Sequence, residues 1–94
     1  MQPAVYFLTS NNHKALYIGV TSNLVSRIWQ HKQNAVDGFF KRYQTHRLVY
    51  YEVFDDMCSA IAREKQLKNW KRAWKDELVN SFNPQWRDLY SEVT

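Results

Sequence analysis

Ninety-four residues with a net charge of +4 suffice for one domain and a thin core, burying roughly 60–65% of the unfolded surface. No apolar run nears the ~20 residues of a membrane helix, and no basic start with an apolar stretch marks a secretory leader. One cysteine, Cys58, excludes an internal disulfide, so the expectation is a soluble cytoplasmic protein with Cys58 buried as a small apolar residue.

Residues 4–9, Ala-Val-Tyr-Phe-Leu-Thr, read as a strand from their β-branched and aromatic content. Ser10 to Lys14 is a polar turn, and Ala15 to Val20 a second strand, so the two form an antiparallel hairpin. Thr21, Ser22 and Asn23 are the N-cap choices for a helix reaching about Gln33, with Leu24, Val25, Ile28 and Trp29 as its apolar stripe. Asn34 to Tyr43 reads as a loop with an Asp37-Gly38 turn, and Arg47 to Phe54 as a third strand. Asp55, Asp56 or Ser59 starts a helix to about Lys71, and another covers roughly Ala73 to Asn80, with an irregular tail from Phe82. The order β-β-α-β-α-α implies an α+β fold, a small three-stranded antiparallel sheet flanked by helices. It occupies residues 1–94 as a single domain, with a core over 3–82 and a C-terminal tail over 83–94.

The charge is uneven. From Lys41 to Lys75 there are nine Lys or Arg against four acids, a local excess that favours a polyanionic partner. Three sets of polar residues sit where the fold does not require them. Glu64 falls among Met57, Ala60, Ile61 and Leu67 on the second helix. A metal ion or an Arg partner would offset its charge there, whereas a place at the stripe's edge would let it reach solvent. Arg27 and His31, four apart, share a helix face where a guanidinium could fork a phosphate and an imidazole move a proton. Tyr6 and Tyr17 lie on the two hairpin strands. Either is an ordinary core residue, and phenolate chemistry near pH 7 would need roughly 4 kcal/mol from the site.

Taken together these residues resemble the GIY-YIG nucleases. Ala4-Val5-Tyr6 stands for the first motif and Tyr17-Ile18-Gly19 is the second, with Arg27 eight positions beyond Gly19 and His31 four further on. Glu64 matches the metal-binding Glu, and Asn83 the distal Asn, although it lies nineteen residues after Glu64. Ala4 replaces the Gly of the motif name. The strand Leu48-Val49-Tyr50-Tyr51-Glu52 and the helix segment 63–70 are similar to those of the small stand-alone bacterial YhbQ-like members, and Tyr43 matches a recurrent family position.

The resemblance implies a divalent-metal-dependent endonuclease acting on DNA phosphodiesters, in DNA repair or recombination. Glu64 would hold Mg2+ or Mn2+, and Arg27 would offset charge on the phosphate. Tyr6 would orient or deprotonate water, Tyr17 would hydrogen-bond the phosphate or the water, and His31 would be the alternative base. Lys41, Tyr43, Arg63, Lys65, Lys68, Lys71, Arg72, Lys75 and Asn83 would meet the nucleic acid, giving a salt slope near −4 to −5 if ~4–6 phosphates are neutralised. Trp70 and Trp74 would stack on bases or pack beneath the third helix. The partner is DNA, branched or damaged, and with no second domain to supply targeting a protein partner or a homodimer is expected. Two other readings compete. One is a non-catalytic nucleic-acid-binding module of the same fold. The other is a protein-interaction domain using Trp86 and Tyr90, which could equally close the core.

Overall fold

The computed structural model describes residues 2–33 and 45–94. Strands β1 (Ala4–Thr9), β2 (Leu16–Thr21) and β3 (Arg47–Val53) form an antiparallel sheet in the order β2-β1-β3. Helices α1 (Leu24–Lys32), α2 (Met57–Lys68) and α3 (Arg72–Phe82) pack on it. A one-turn helix, α4 (Tyr90–Val93), follows. The expected α+β layout is therefore present, extended by one short element. Lys41, Tyr43 and the Asp37-Gly38 turn lie outside the described residues.

All six residues of β1 are buried because the central strand is covered on both faces. Its alternation divides the core in two. Val5 and Phe7 join Ile18, Tyr50, Ala60, Leu67 and Val79 on the side of α2 and α3. Tyr6 and Leu8 join Ile28, Leu48 and Leu89 on the other. The β1–β3 register shifts between Phe7 and Leu8, where Val49 is the extra residue.

Helix starts follow side-chain chemistry. Asn23 accepts from the Ser26 amide at 3.2 Å and Asp56 from the Ser59 amide at 2.7 Å, each satisfying a donor that the first turn leaves open. Helix α2 stops at Lys68 rather than Lys71. Its last turn tightens through Asn69 N–H to Gln66 O and Trp70 N–H to Leu67 O, and extended Lys71 then opens α3. Arg72 ties α3 to the hairpin loop by donating to the carbonyls of His13 and Lys14, at 2.6 and 2.9 Å. His13 adopts a positive φ of 61° there.

Three expectations are corrected. Cys58 is exposed, because α2 turns Ala60 and Leu67 toward the sheet and leaves position 58 outside. Helix α1 buries Ile28 and His31 and packs Leu24 against the core, whereas the other two residues of the expected stripe, Val25 and Trp29, are 37% and 53% exposed. Spacing 24, 28, 31 faces the sheet, since Tyr6 holds His31 inward. The tail, expected to be irregular from Phe82, carries the short helix α4 and packs on the core. Leu89 is buried and its N–H donates to Leu48 O at 2.7 Å, while Asp88 accepts from the amides of Leu48 and Tyr90 and pairs with Lys32.

Candidate active site

The hairpin places Tyr6 opposite Gly19 and sets Tyr17 beside it. The two phenol rings lie 6.2 Å apart, tilted at 43°. Gly19 is needed because Tyr6 lies directly over it: a Cβ would meet the Tyr6 hydroxyl at 2.4 Å. From the opposite layer α1 brings His31, whose ring is 5.9 Å from that of Tyr6 and 6.2 Å from that of Tyr17. Tyr6 Oη and His31 Nε2 share a hydrogen bond at 3.2 Å.

Electrostatics join the remaining residues to this triangle. Burial chiefly, then Tyr17, raises the Tyr6 phenol above its ordinary value; Arg27 lowers it and Glu64 raises it. The charges of Arg27 and Glu64 thus act on Tyr6 in opposite directions. Arg27 itself is exposed, one turn before buried His31. Burial first, then the charges of Arg27 and His46, lower His31 to about 4. Near neutral pH the site thus holds a neutral phenol and a neutral imidazole. The phenolate expected of Tyr6 as one alternative is opposed by its surroundings.

Glu64 occupies the inward face of α2 between Ala60 and Leu67, both fully buried. Its side chain is 14% exposed and pairs with Lys68 at 3.1 Å. No group of three or more His, Cys, Asp or Glu able to hold a metal occurs among the described residues. That excludes a closed structural-zinc arrangement there. A lone carboxylate does fit a hard divalent cation that takes its other oxygens from substrate phosphate and water.

The residues expected to meet nucleic acid separate by their bonds. Lys65, Lys68 and Lys71 are exposed. Arg63 is committed inward, donating to Glu52 from Nε and Nη2 at 3.1–3.2 Å, and Arg72 is held by Asp76 and the hairpin loop. Asn83 is a correction. It is 3% exposed, and its Nδ2 donates to the carbonyls of Val49 and Arg87 at 3.2 and 2.8 Å, so its amide is spent on tying α3 to β3 and the tail. Trp86 and Tyr90 both pack against core clusters. Sequence reasoning missed His46, whose Nδ1 bonds His31 O at 2.9 Å, and the Lys32–Asp88 pair beside it. Lys32 also donates to His46 O at 2.9 Å. No local pattern announces these contacts, which join α1 to the start of β3 and to the tail.

A hairpin carrying two phenols, a helix carrying Arg and His, and a later helix carrying a carboxylate thus belong to one α+β domain. Residues 2–77 match the family described as the GIY-YIG catalytic domain. The chain belongs to the GIY-YIG family, a family of nucleases, and its relatives are the small UPF0213 (YhbQ-like) proteins. It is 32% identical over 82 residues to a UPF0213 protein of Syntrophus aciditrophicus (strain SB), covering 86% of this chain and 92% of that one. A UPF0213 protein of Clostridium perfringens (strain 13 / Type A) is 32% identical over 89 residues, 95% of each chain. The solution NMR structure of a UPF0213 protein from Bacillus halodurans shares the fold, with a TM-score of 0.59 over 94% of this chain and 93% of that chain at 24% identity. No helix among the described residues is long and apolar enough to cross a membrane.

Proposed function

We propose that this chain is a divalent-metal-dependent endonuclease that hydrolyses DNA phosphodiester bonds, with branched or damaged DNA as its substrate and DNA repair or recombination as its setting. What supports the reading is the Tyr6–Tyr17–His31 triangle, with the charges of Arg27 and Glu64 bearing on Tyr6. A phosphodiester repels an attacking hydroxide, so the catalyst must offset phosphate charge and prepare the water. Arg27, exposed and forked, binds the non-bridging oxygens. Tyr6 orients the water through a hydroxyl fixed between Gly19 and His31. As the water's proton moves to Tyr6 Oη, the Tyr6 proton passes to His31 Nε2, so no free phenolate forms. Tyr17 donates to the phosphate. Glu64 would hold Mg2+ or Mn2+, which supplies Lewis-acid stabilisation of the leaving oxygen when bound.

Lys65, Lys68, Lys71 and Lys75 carry the DNA backbone. With Arg63 engaged by Glu52 and Arg72 by Asp76 and the hairpin loop, the expected salt slope is nearer −3 to −4 than −5, at about 0.9 per neutralised phosphate. The test is cleavage of branched, nicked and single-stranded DNA with Mg2+ or Mn2+. Glu64→Ala should abolish cleavage and Arg27→Ala should reduce it about 100-fold, the scale of one lost transition-state contact; activity equal to wild type in either variant removes that residue's role.

One observation favours a binding module of the same fold without catalysis: Lys68 already neutralises Glu64. Lys68→Ala separates the two. A freed carboxylate should raise metal affinity and cleavage at low Mg2+ in a nuclease, and should only weaken DNA binding in a module.

A further inference from the structure

The cleft between Trp70 and Trp74 lies on the stretch from Trp70 to Ser81, of which the reading above uses only Lys71 and Lys75 and none of the residues that line the cleft. Trp70 packs against the core, whereas Trp74 is 50% exposed. Because Trp74 adjoins Trp70, the apolar surface it leaves in water belongs to a patch rather than to a lone side chain. The two indoles meet edge to face, centroids 6.2 Å apart and planes at 84°, forming the two walls of an L. The space beside them, about 470 Å³, is completed by Glu77, Leu78 and Ser81. Lys71 places its ammonium 5.5 Å from the Trp74 centroid, and exposed Lys65 and Lys68 lie on the preceding helix.

We propose that this cleft binds an unpaired nucleobase of the DNA strand that the site cuts, an inference that rests on the DNA-nuclease reading. An indole wall offers a stacking surface to any base, and a second indole at right angles limits how far the base can slide. The lysines nearby suit the backbone that must accompany the base. A buried apolar occupant such as a Leu side chain would fit the walls but would leave Glu77 and the lysines unused. Glu77 adds a preference. A carboxylate accepts from the amino group of cytosine, and faces carbonyl oxygens on either side of the single N–H of thymine. The cleft should therefore favour cytosine over thymine.

The test titrates dye-labelled dC8, dT8 and a blunt 12-base-pair duplex (lengths of about one site size) into wild type, Trp74→Ala, Trp74→Phe and Glu77→Ala, following anisotropy at several salt concentrations. Loss of the stacking wall in Trp74→Ala should weaken dC8 binding about tenfold. Duplex affinity and the salt slope should stay unchanged, and Trp74→Phe should recover most of the loss. Glu77→Ala should remove the preference for dC8. If wild type binds both strand forms and Trp74→Ala matches it on dC8, the cleft assignment is overturned while the DNA reading stands. If wild type binds none of the three, both fall. Because Trp74 is half exposed, unchanged circular dichroism in the variants excludes misfolding as the cause of any loss.

Discussion

A single methyl group at Gly19 tests how tightly the candidate site is built. The added Cβ would lie 2.4 Å from Tyr6 Oη, 2.5 Å from Tyr6 Cζ and 2.9 Å from Tyr17 Cε1. Favourable contacts begin near 3.5 Å, so the overlap with Tyr6 is roughly 1 Å. Tyr6 is 2% exposed, so its ring is held by the packing around it. Overpacking of this kind costs about 1–3 kcal/mol. Replacing Gly by Ala returns about 0.4–1 kcal/mol by narrowing the unfolded ensemble. An overlap with two ring atoms falls in the upper half of that cost, about 2–3 kcal/mol, so the net loss of about 1–2.6 kcal/mol should lower Tm by about 4–20 °C in a chain of this size. Relief requires the ring to tilt, which also lengthens the 3.2 Å bond to His31. Thermal unfolding followed by circular dichroism measures the loss. Tyr6→Phe deletes the closest contact, so Gly19→Ala combined with Tyr6→Phe should lose less stability than the sum of the two single changes. A Gly19→Ala variant melting within about 1 °C of wild type, or a strictly additive double variant, would refute this account of the packing.

The other predictions concern the groups around that hydroxyl and the tail. His31 is lowered to about 4 from an ordinary 6.5 by burial, Arg27 and His46. The unfolded chain therefore takes up this proton first. The neutral ring's contribution is complete above pH 6.5 and drains away as pH falls toward 4, a loss of roughly 3 kcal/mol. Urea unfolding from pH 7 to 4.5 should show a flatter dependence in His31→Gln; equal slopes would contradict the assignment. Asn83→Ala, by stranding the buried carbonyl of Val49, should cost about 1–3 kcal/mol in the same assay. Asp88→Ala should speed amide exchange at Leu48 and Tyr90, both of which it caps, and leave exchange at Val5 governed by global unfolding.

The sheet was legible because β1, β2 and β3 carry β-branched and aromatic runs separated by polar turn residues, and Asn23 and Asp56 are ordinary caps. The five candidate residues stood out through motif spacing, since the hairpin and the first helix fix the positions of Tyr6, Tyr17 and Arg27 by local geometry. What escaped depends on contacts far apart in sequence. The burial of His31 rests on Tyr6, twenty-five residues away, so a reading by hydrophobicity rotated α1 toward Val25 and Trp29. Cys58 was misplaced because small apolar character says nothing about which side of α2 faces the sheet. Asn83 had the residue type of a ligand contact, but its orientation toward Val49 O follows from how α3 ends against β3. The engagement of Arg63 and Arg72 was equally invisible, since a run of positive charge does not reveal which members have carbonyl or carboxylate partners.

The C-terminal segment carries a practical consequence for anyone dividing this chain. The family match ends at residue 77, yet Leu89 shares a cluster with Tyr6, Leu8, Ile28 and Leu48. A fragment cut at the boundary of the match would bare one side of the sheet and loosen the helix that presents His31. Such a fragment would be expected to clump rather than dissolve, and silence in a cleavage assay would then report on its folding rather than its chemistry. Fusion junctions and affinity handles therefore belong beyond Val93.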